Sequence, residues 1–374
     1  MPNGRRTATL FLDPLSYHLE GDRLFDARNT AKSGERILEP FVLLRERMAE
    51  RGVATHTGDL IGKVPPTPVN LYATLGIRHR WRSLARRGDV ILSAFLVNEC
   101  PVAEPRIFTE LPSAASSFRR LYSFAGDDAM SEFTGVPLSF RPFRYPYPFD
   151  DVDSDAWARS GRRFLAMING NKVPRISTRE LYSERMRAVA FFEALGEIDL
   201  YGVGWDGPPY RVGETNVPRT IRRIAYLAES RLDRLRPDRD PLLAAARRAW
   251  RGSVASKSET LSGYTFAICF ENMVLEGWVT EKVFDCLRAG TIPIYLGAPD
   301  VEEWLDPGCY IDMRRFSGYE ELRSYLKSLR ATEIESYRTA GRDYLRSEQF
   351  RPFTKEAFVD IFERIVDEDA AAIP

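Results

Sequence analysis

The chain has 374 residues, 53 basic and 53 acidic side chains, and a formal net charge of zero. Its apolar, aromatic and charged fractions are those of a globular protein, which excludes a disordered, collagenous or fibrous chain. The balanced charge removes any long-range pull towards phosphate backbones, so no nucleic-acid partner is expected.

The length suits two domains. Cys100, Cys269, Cys286 and Cys309 stand far apart without CxxC spacing, and read as reduced thiols of a cytoplasmic protein. The amino terminus turns from basic to apolar at TATLFL, far shorter than a signal core or a membrane span, so no transmembrane segment is expected.

In chain order, Thr7–Leu12 reads as a buried strand and Glu39–Arg51 as a helix, with Pro40 in its first turn and Gly52 beyond its end. A strand at Val53–His56, a basic helix near Trp81–Arg87 and a strand at Asp89–Val97 continue the alternation, which implies a mostly parallel sheet. The stretch FRPFRYPYPFDD, Phe140–Asp151, carries too many prolines for a helix or a central strand and reads as an interdomain linker.

A second alternation follows: strand Arg163–Ile168, helix Glu180–Leu195, strands Ile198–Gly202 and Thr265–Phe270, helix Thr280–Ala289, strand Thr291–Leu296 and helix Tyr319–Leu329. The fold class is therefore α/β, with two Rossmann-like domains facing a cleft. Pro218–Gly252 is rich in arginine and leucine at helical spacing. A solvated amphipathic helix pair is the commoner reading of such a segment, and a membrane- or ligand-contacting surface the rarer one.

The chemistry concentrates in Tyr264–Gly297, YTFAICFENMVLEGWVTEKVFDCLRAGTIPIYLG. A strand ends at Phe270, Glu271 and Asn272 sit at its carboxyl end, and after a loop Thr280 stands where it can cap a helix. Ligands of open α/β sheets bind outside the carboxyl ends of strands, where helix amino termini present N–H groups and partial positive charge. Lys282 in that first turn adds a full charge, so the site suits a phosphate or pyrophosphate.

The pattern FEN, then VTEK, then AGTIPIYLGAP resembles glycosyltransferase family 10, the α-1,3/4-fucosyltransferases. The likeness extends upstream to Lys257 and Tyr264 and downstream through DPGCYIDMRRF. It implies a GT-B-type enzyme that moves L-fucose from GDP-fucose to a hydroxyl of an oligosaccharide or glycoconjugate, with inversion and without a metal or other cofactor. The implied domains are an acceptor-binding domain at 1–150, a donor domain at 151–345 and a helical tail at 346–374 packing back towards the first domain.

The same likeness implies that Asn272 and Lys282 contact the donor, Lys282 at the diphosphate, that Glu281 binds hydroxyls of ribose or fucose, and that Lys257, Tyr264, Glu271, Trp278 and Thr280 belong to the same donor-binding site. Trp278 departs from it, standing where the family usually has tyrosine. RMRAVAFFEALGEIDLYG is similar to the family's arginine-led helix and following strand, which puts the phosphate-binding arginine at Arg185, with Arg187 as the nearest rival. ECP stands where the family often has ESP, so Glu99 is implied as general base, with Glu104 as an alternative and Val97 where some members have a further acid. A carboxylate is needed because the acceptor hydroxyl must lose its proton as it attacks.

Asp151–Asp153, Asp153–Asp155 and Asp238–Asp240 have DxD spacing but follow no convincing buried strand, and His18, His56 and His79 have no partner at metal-ligand spacing. Two rivals stay open: a GT-B transferase using another nucleotide sugar, and an inactive glycan- or nucleotide-binding homologue.

Overall fold

A computed structural model describes residues 8–29, 36–76, 78–175, 177–213, 218–236 and 239–371. Thr7 and Asp238 lie outside them. The chain divides into two compact units, one of Met1–Phe149 with Arg351–Pro374 and one of Asp150–Phe350.

The first unit is built on a parallel sheet of β1 (Ala8–Asp13), β2 (Val53–Thr57), β3 (Val69–Thr74), β4 (Ile91–Leu96), β5 (Leu121–Ser123) and β6 (Arg141–Pro142), in the order β2-β1-β3-β4-β5-β6. Every residue of β1 is buried, as a central parallel strand covered on both faces requires. Helix Glu39–Glu50 lays Phe41, Leu44 and Met48 into the core at three- and four-residue spacing. Helix Lys355–Ala371 packs beside it, burying Phe358, Phe362 and Ile365, with the Phe41 and Phe358 rings edge-on at 5.2 Å. The end of the chain thus completes the first core, where each fully buried Leu, Ile or Phe contributes about 1.5–3 kcal/mol.

The chain passes from the first unit to the second at Phe149–Asp150, inside the stretch expected to link them, but that stretch is packed. Phe143 and Tyr147 are buried, and Arg144 donates from one guanidinium nitrogen to the carbonyls of Phe124 (2.6 Å) and Phe143 (2.9 Å). The prolines do keep it from a central strand: Arg141–Pro142 forms the sheet's short edge.

The second unit holds β7 (Arg163–Ile168), a small parallel pair of β8 (Lys172–Pro174) and β10 (Tyr210–Val212), and a five-stranded parallel sheet that β7 forms with β9 (Ile198–Tyr201), β11 (Tyr264–Phe270), β12 (Ile292–Leu296) and β13 (Ile311–Asp312). Its order, β9-β7-β11-β12-β13, is in sequential terms 2-1-3-4-5, the order that also begins the first sheet. Both units are therefore doubly wound α/β folds. In each, the strand order reverses between the first and third strands, where such sheets bind ligands at their carboxyl ends.

The expected solvated helix pair within 218–252 is half right. Helix Pro241–Ala249 buries Leu243, Ala246 and Ala249 in the second core, whereas helix Arg219–Leu235 leaves large apolar side chains exposed. All four cysteines are buried free thiols, with the sulfurs of Cys269 and Cys286 3.1 Å apart.

Candidate functional site

At the reversal point of the second sheet, between the carboxyl ends of β7 and β11, one side chain bridges the two strands. Arg185, 3% exposed, projects from helix Tyr182–Glu193. Its guanidinium donates to the Phe270 carbonyl (2.6 and 3.0 Å), to Asn169 Oδ1 (3.1 Å) and to Asn272 Oδ1 (3.1 Å), while stacking over the Tyr182 ring. These bonds fix the guanidinium across the ends of the two strands. Arg187, two residues on, is mostly exposed and pairs with Glu184 at 2.7 Å. Of the two candidate arginines, Arg185 is the one buried at the strand ends.

Directly after β11, Glu271 is fully buried and accepts from Thr280 N (2.8 Å), from Thr280 Oγ1 (2.9 and 3.0 Å) and from Lys282 Nζ (2.9 Å). Thr280 occupies the cap position of helix Glu281–Arg288, but its hydroxyl serves Glu271 and not the helix N–H groups. The expected side-chain cap is corrected accordingly: the buried carboxylate is the stronger acceptor. Expecting Glu271 itself to touch a ligand is corrected too, because its carboxylate is spent on fixing the start of this helix.

Lys282 is held by Glu271, by Thr280 Oγ1 (2.8 Å) and more loosely by Glu281 (3.9 Å), with 24% of its side chain exposed. Burial works against its charge, yet Glu271 and Glu281 raise its basicity above the usual lysine value while Arg185 opposes them. Arg185 bonds the carbonyl of Phe270 and Lys282 the carboxylate of the next residue, Glu271, so the two cations share one neighbourhood. Partial desolvation opposes the charge of Glu281, whose side chain stays 46% exposed, but Lys282 and Lys257 together hold its carboxyl down to about 2. Lys257 is anchored to Asp285 of the same helix at 2.7 Å. Trp278, 6% exposed, belongs to the buried approach to Thr280, and Tyr295 donates to its carbonyl (3.3 Å).

Gly297 explains part of the AGTIPIYLG pattern. A Cβ there would lie 2.6 Å from both Glu271 Cγ and the Tyr295 hydroxyl, so the backbone passes against the buried carboxylate as only glycine allows.

Tyr264 does not join this cluster, which corrects its expected role. It opens β11, and a strand of seven residues at about 3.3 Å each puts it about 20 Å from the carboxyl end. There its hydroxyl meets Asp199 (2.8 Å) and Tyr201 (2.9 Å), under Arg163.

In the first unit Glu99 follows β4, half-buried, its Oε1 accepting from Cys100 N at 2.9 Å. Neighbouring Asn98 is buried, and its Oδ1 has no hydrogen-bond partner among the described residues. Glu104 precedes helix Pro105–Ala115 and faces Arg106 at 3.9 Å. Sequence reasoning passed over a second polar cluster at this sheet's own reversal point. Asp13, fully buried at the end of β1, accepts from Tyr72 and Arg80, and Arg80 and Arg78 both bond Glu20 (3.1 and 2.6 Å). Burial pushes the Asp13 carboxyl above its usual value despite those donors. The available signal was an acid closing a buried strand, the same signal that marks Glu271.

The DxD carboxylates have structural work. Asp151 pairs with Arg346 (2.7 Å), Asp153 caps helix Ser154–Ala158 and faces Arg288 (3.3 Å), and Asp240 caps helix Pro241–Ala249. His56 and His79 each bond one carboxylate, Asp22 and Glu110, at 2.8 Å.

Residues 244–352 match the family model described as glycosyltransferase family 10 (fucosyltransferase) C-term. Similar curated proteins include an alpha-(1,3)-fucosyltransferase FucT of Helicobacter pylori, 40% identical over 77 residues, or 21% of this chain and 16% of that protein. An alpha-(1,4)-fucosyltransferase of Arabidopsis thaliana is 41% identical over 69 residues, or 18% of this chain and 17% of that protein. The matches therefore span about a sixth of these relatives' length. Among solved structures, Anabaena Alr3699/HepE in complex with UDP and glucose shares the fold at a TM-score of 0.51 and 11% identity, over 97% of this chain and 100% of that one.

Proposed function

We infer that this chain, a member of glycosyltransferase family 10 through residues 244–352, transfers L-fucose from GDP-fucose to a hydroxyl of a glycan acceptor. The observation that carries this reading is the placement of buried Arg185, bonded across the carboxyl ends of β7 and β11, together with Lys282 at the helix start that follows β11. The fucosyltransferase names of the relatives support fucose as the sugar.

In the proposed reaction the acceptor oxygen bonds to the anomeric carbon as the bond from that carbon to the β-phosphate oxygen breaks. Glu99 takes the hydroxyl proton and GDP departs as an anion. Negative charge grows on the β-phosphate in the transition state, so cations fixed at Arg185 and Lys282 speed the reaction as well as bind the donor. A single carboxylate suffices, because a diphosphate leaves without being protonated, and attack opposite the leaving group inverts the anomeric centre. Glu281 and Asn272 are proposed to meet the donor's hydroxyls and diphosphate, with Glu271 and Thr280 fixing the helix start that carries Lys282. The cations do the work a metal would do on a DxD pair, and no cofactor is proposed.

A donor screen with purified protein in EDTA tests this. Release of fucose or its transfer from GDP-fucose, with GDP-mannose and UDP-sugars inert, is expected. Turnover of a UDP-sugar alone would replace the donor, GDP binding without turnover of any donor would make the chain an inactive homologue, and dependence on added Mn²⁺ would overturn the metal-free reading.

A further inference from the structure

The helix Arg219–Leu235 stands between β10 and helix Pro241–Ala249. At 100° per residue, Ile221, Ile224, Ala225, Ala228, Leu232 and Leu235 fall within an arc of about 100°, the width of a core-facing stripe. This stripe faces no core: Ile221, Ile224, Leu232 and Leu235 are 55%, 67%, 41% and 72% exposed. The helix is tied to its unit from other sides. Glu229 pairs with Arg211 of β10 at 2.8 Å, and the Tyr226 hydroxyl, roughly opposite the stripe, comes close to Gly207. These tethers turn the apolar stripe outward.

The charge around the stripe indicates what covers it. Arg219–Arg236 carries six arginines against Glu229 and Asp233, a net charge of 6 − 2 = +4. Arg231 and Arg236 border the stripe on either side, and both are exposed. A second copy laid stripe to stripe would bring +4 against +4. The helix, about 26 Å long at 1.5 Å per residue, is too charged to cross a bilayer, and among the described residues no helix is long and apolar enough to do so. A strong moment, an arginine-rich polar face and low mean hydropathy are the features of helices that lie in a membrane interface.

We propose that this helix docks the protein on an anionic lipid surface, the Ile and Leu stripe entering the acyl boundary while Arg231 and Arg236 reach the headgroup phosphates. Each attraction alone is marginal, so binding requires both.

The test is co-sedimentation of the full chain with extruded vesicles of phosphatidylcholine, with or without phosphatidylglycerol. Pelleting is expected with the mixed vesicles, at least about tenfold weaker with phosphatidylcholine alone, and reduced by salt. Ile224→Ser with Leu232→Ser is expected to weaken binding to mixed vesicles at least about tenfold. Arg231→Glu with Arg236→Glu is expected to lower it to the phosphatidylcholine level. All four positions are exposed, and thermal melting checks that the variants fold. The proposal is overturned if the unmodified chain stays in the supernatant with mixed vesicles, if the Ile224→Ser/Leu232→Ser variant binds them undiminished, or if sedimentation velocity finds a dimer that this variant dissolves.

Discussion

Replacing Lys282 with methionine separates the two tasks assigned to this side chain. Glu271 is fully buried and keeps its bonds from Thr280, but loses its cation. Breaking a buried ion pair from one side costs about 3–5 kcal/mol. Because Lys282 retains 24% exposure, the lower end applies, about 3 kcal/mol. For a unit of about 200 residues this lowers Tm by about 6–12 °C. Adding Glu271→Gln removes the orphaned charge while an amide oxygen still accepts from Thr280, so the double variant is expected to regain at least half of the lost stability. GDP affinity behaves differently: both variants lack the cation, and both are expected to bind GDP at least about tenfold more weakly. Scanning calorimetry with GDP titrations on the three proteins measures both quantities. An unchanged Tm for Lys282→Met would refute the buried pair, and recovery of GDP affinity in the double variant would refute direct binding by Lys282.

Arg187→Ala is expected to leave stability within about 0.5 kcal/mol and GDP affinity unchanged, because an exposed ion pair contributes little, whereas Arg185→Ala is expected to weaken both; equal effects in urea melts and GDP titrations would contradict the choice of Arg185. Gly297→Ala puts a methyl group into the space of Glu271 and Tyr295 and is expected to cost about 1–3 kcal/mol in a urea melt; a neutral result would contradict the close approach. Tyr264→Phe is expected to lower stability by about 1 kcal/mol with GDP affinity within about twofold, and a selective loss of GDP binding would return Tyr264 to the site.

The site was legible where the local pattern is complete: an apolar run ending in Glu271 and Asn272, then a loop, then a helix opening at Thr280 with Val283, Phe284 and Leu287 on its inner face. Burial was not legible. Lys282 reads as a free charge in sequence because nothing there shows that Glu271, eleven residues earlier, is sealed beneath it. Tyr264 was misplaced because a motif can run the length of a strand while only one end of the strand faces ligands. Strand β3 went unnoticed because it starts just after PPTP and its first two residues are only half-buried. The proline-aromatic stretch misled in the opposite sense: proline forbids regular pairing but not burial, and Phe143 and Tyr147 use that freedom to fill a core.

The central claim is that two cations at the reversal point of the second sheet hold a diphosphate, and isothermal titration of the unmodified protein with GDP and with GMP tests it most directly. GDP is expected to bind at least about tenfold more tightly than GMP, because the β-phosphate is the group that Arg185 and Lys282 would share. Equal affinity for the two nucleotides would contradict it.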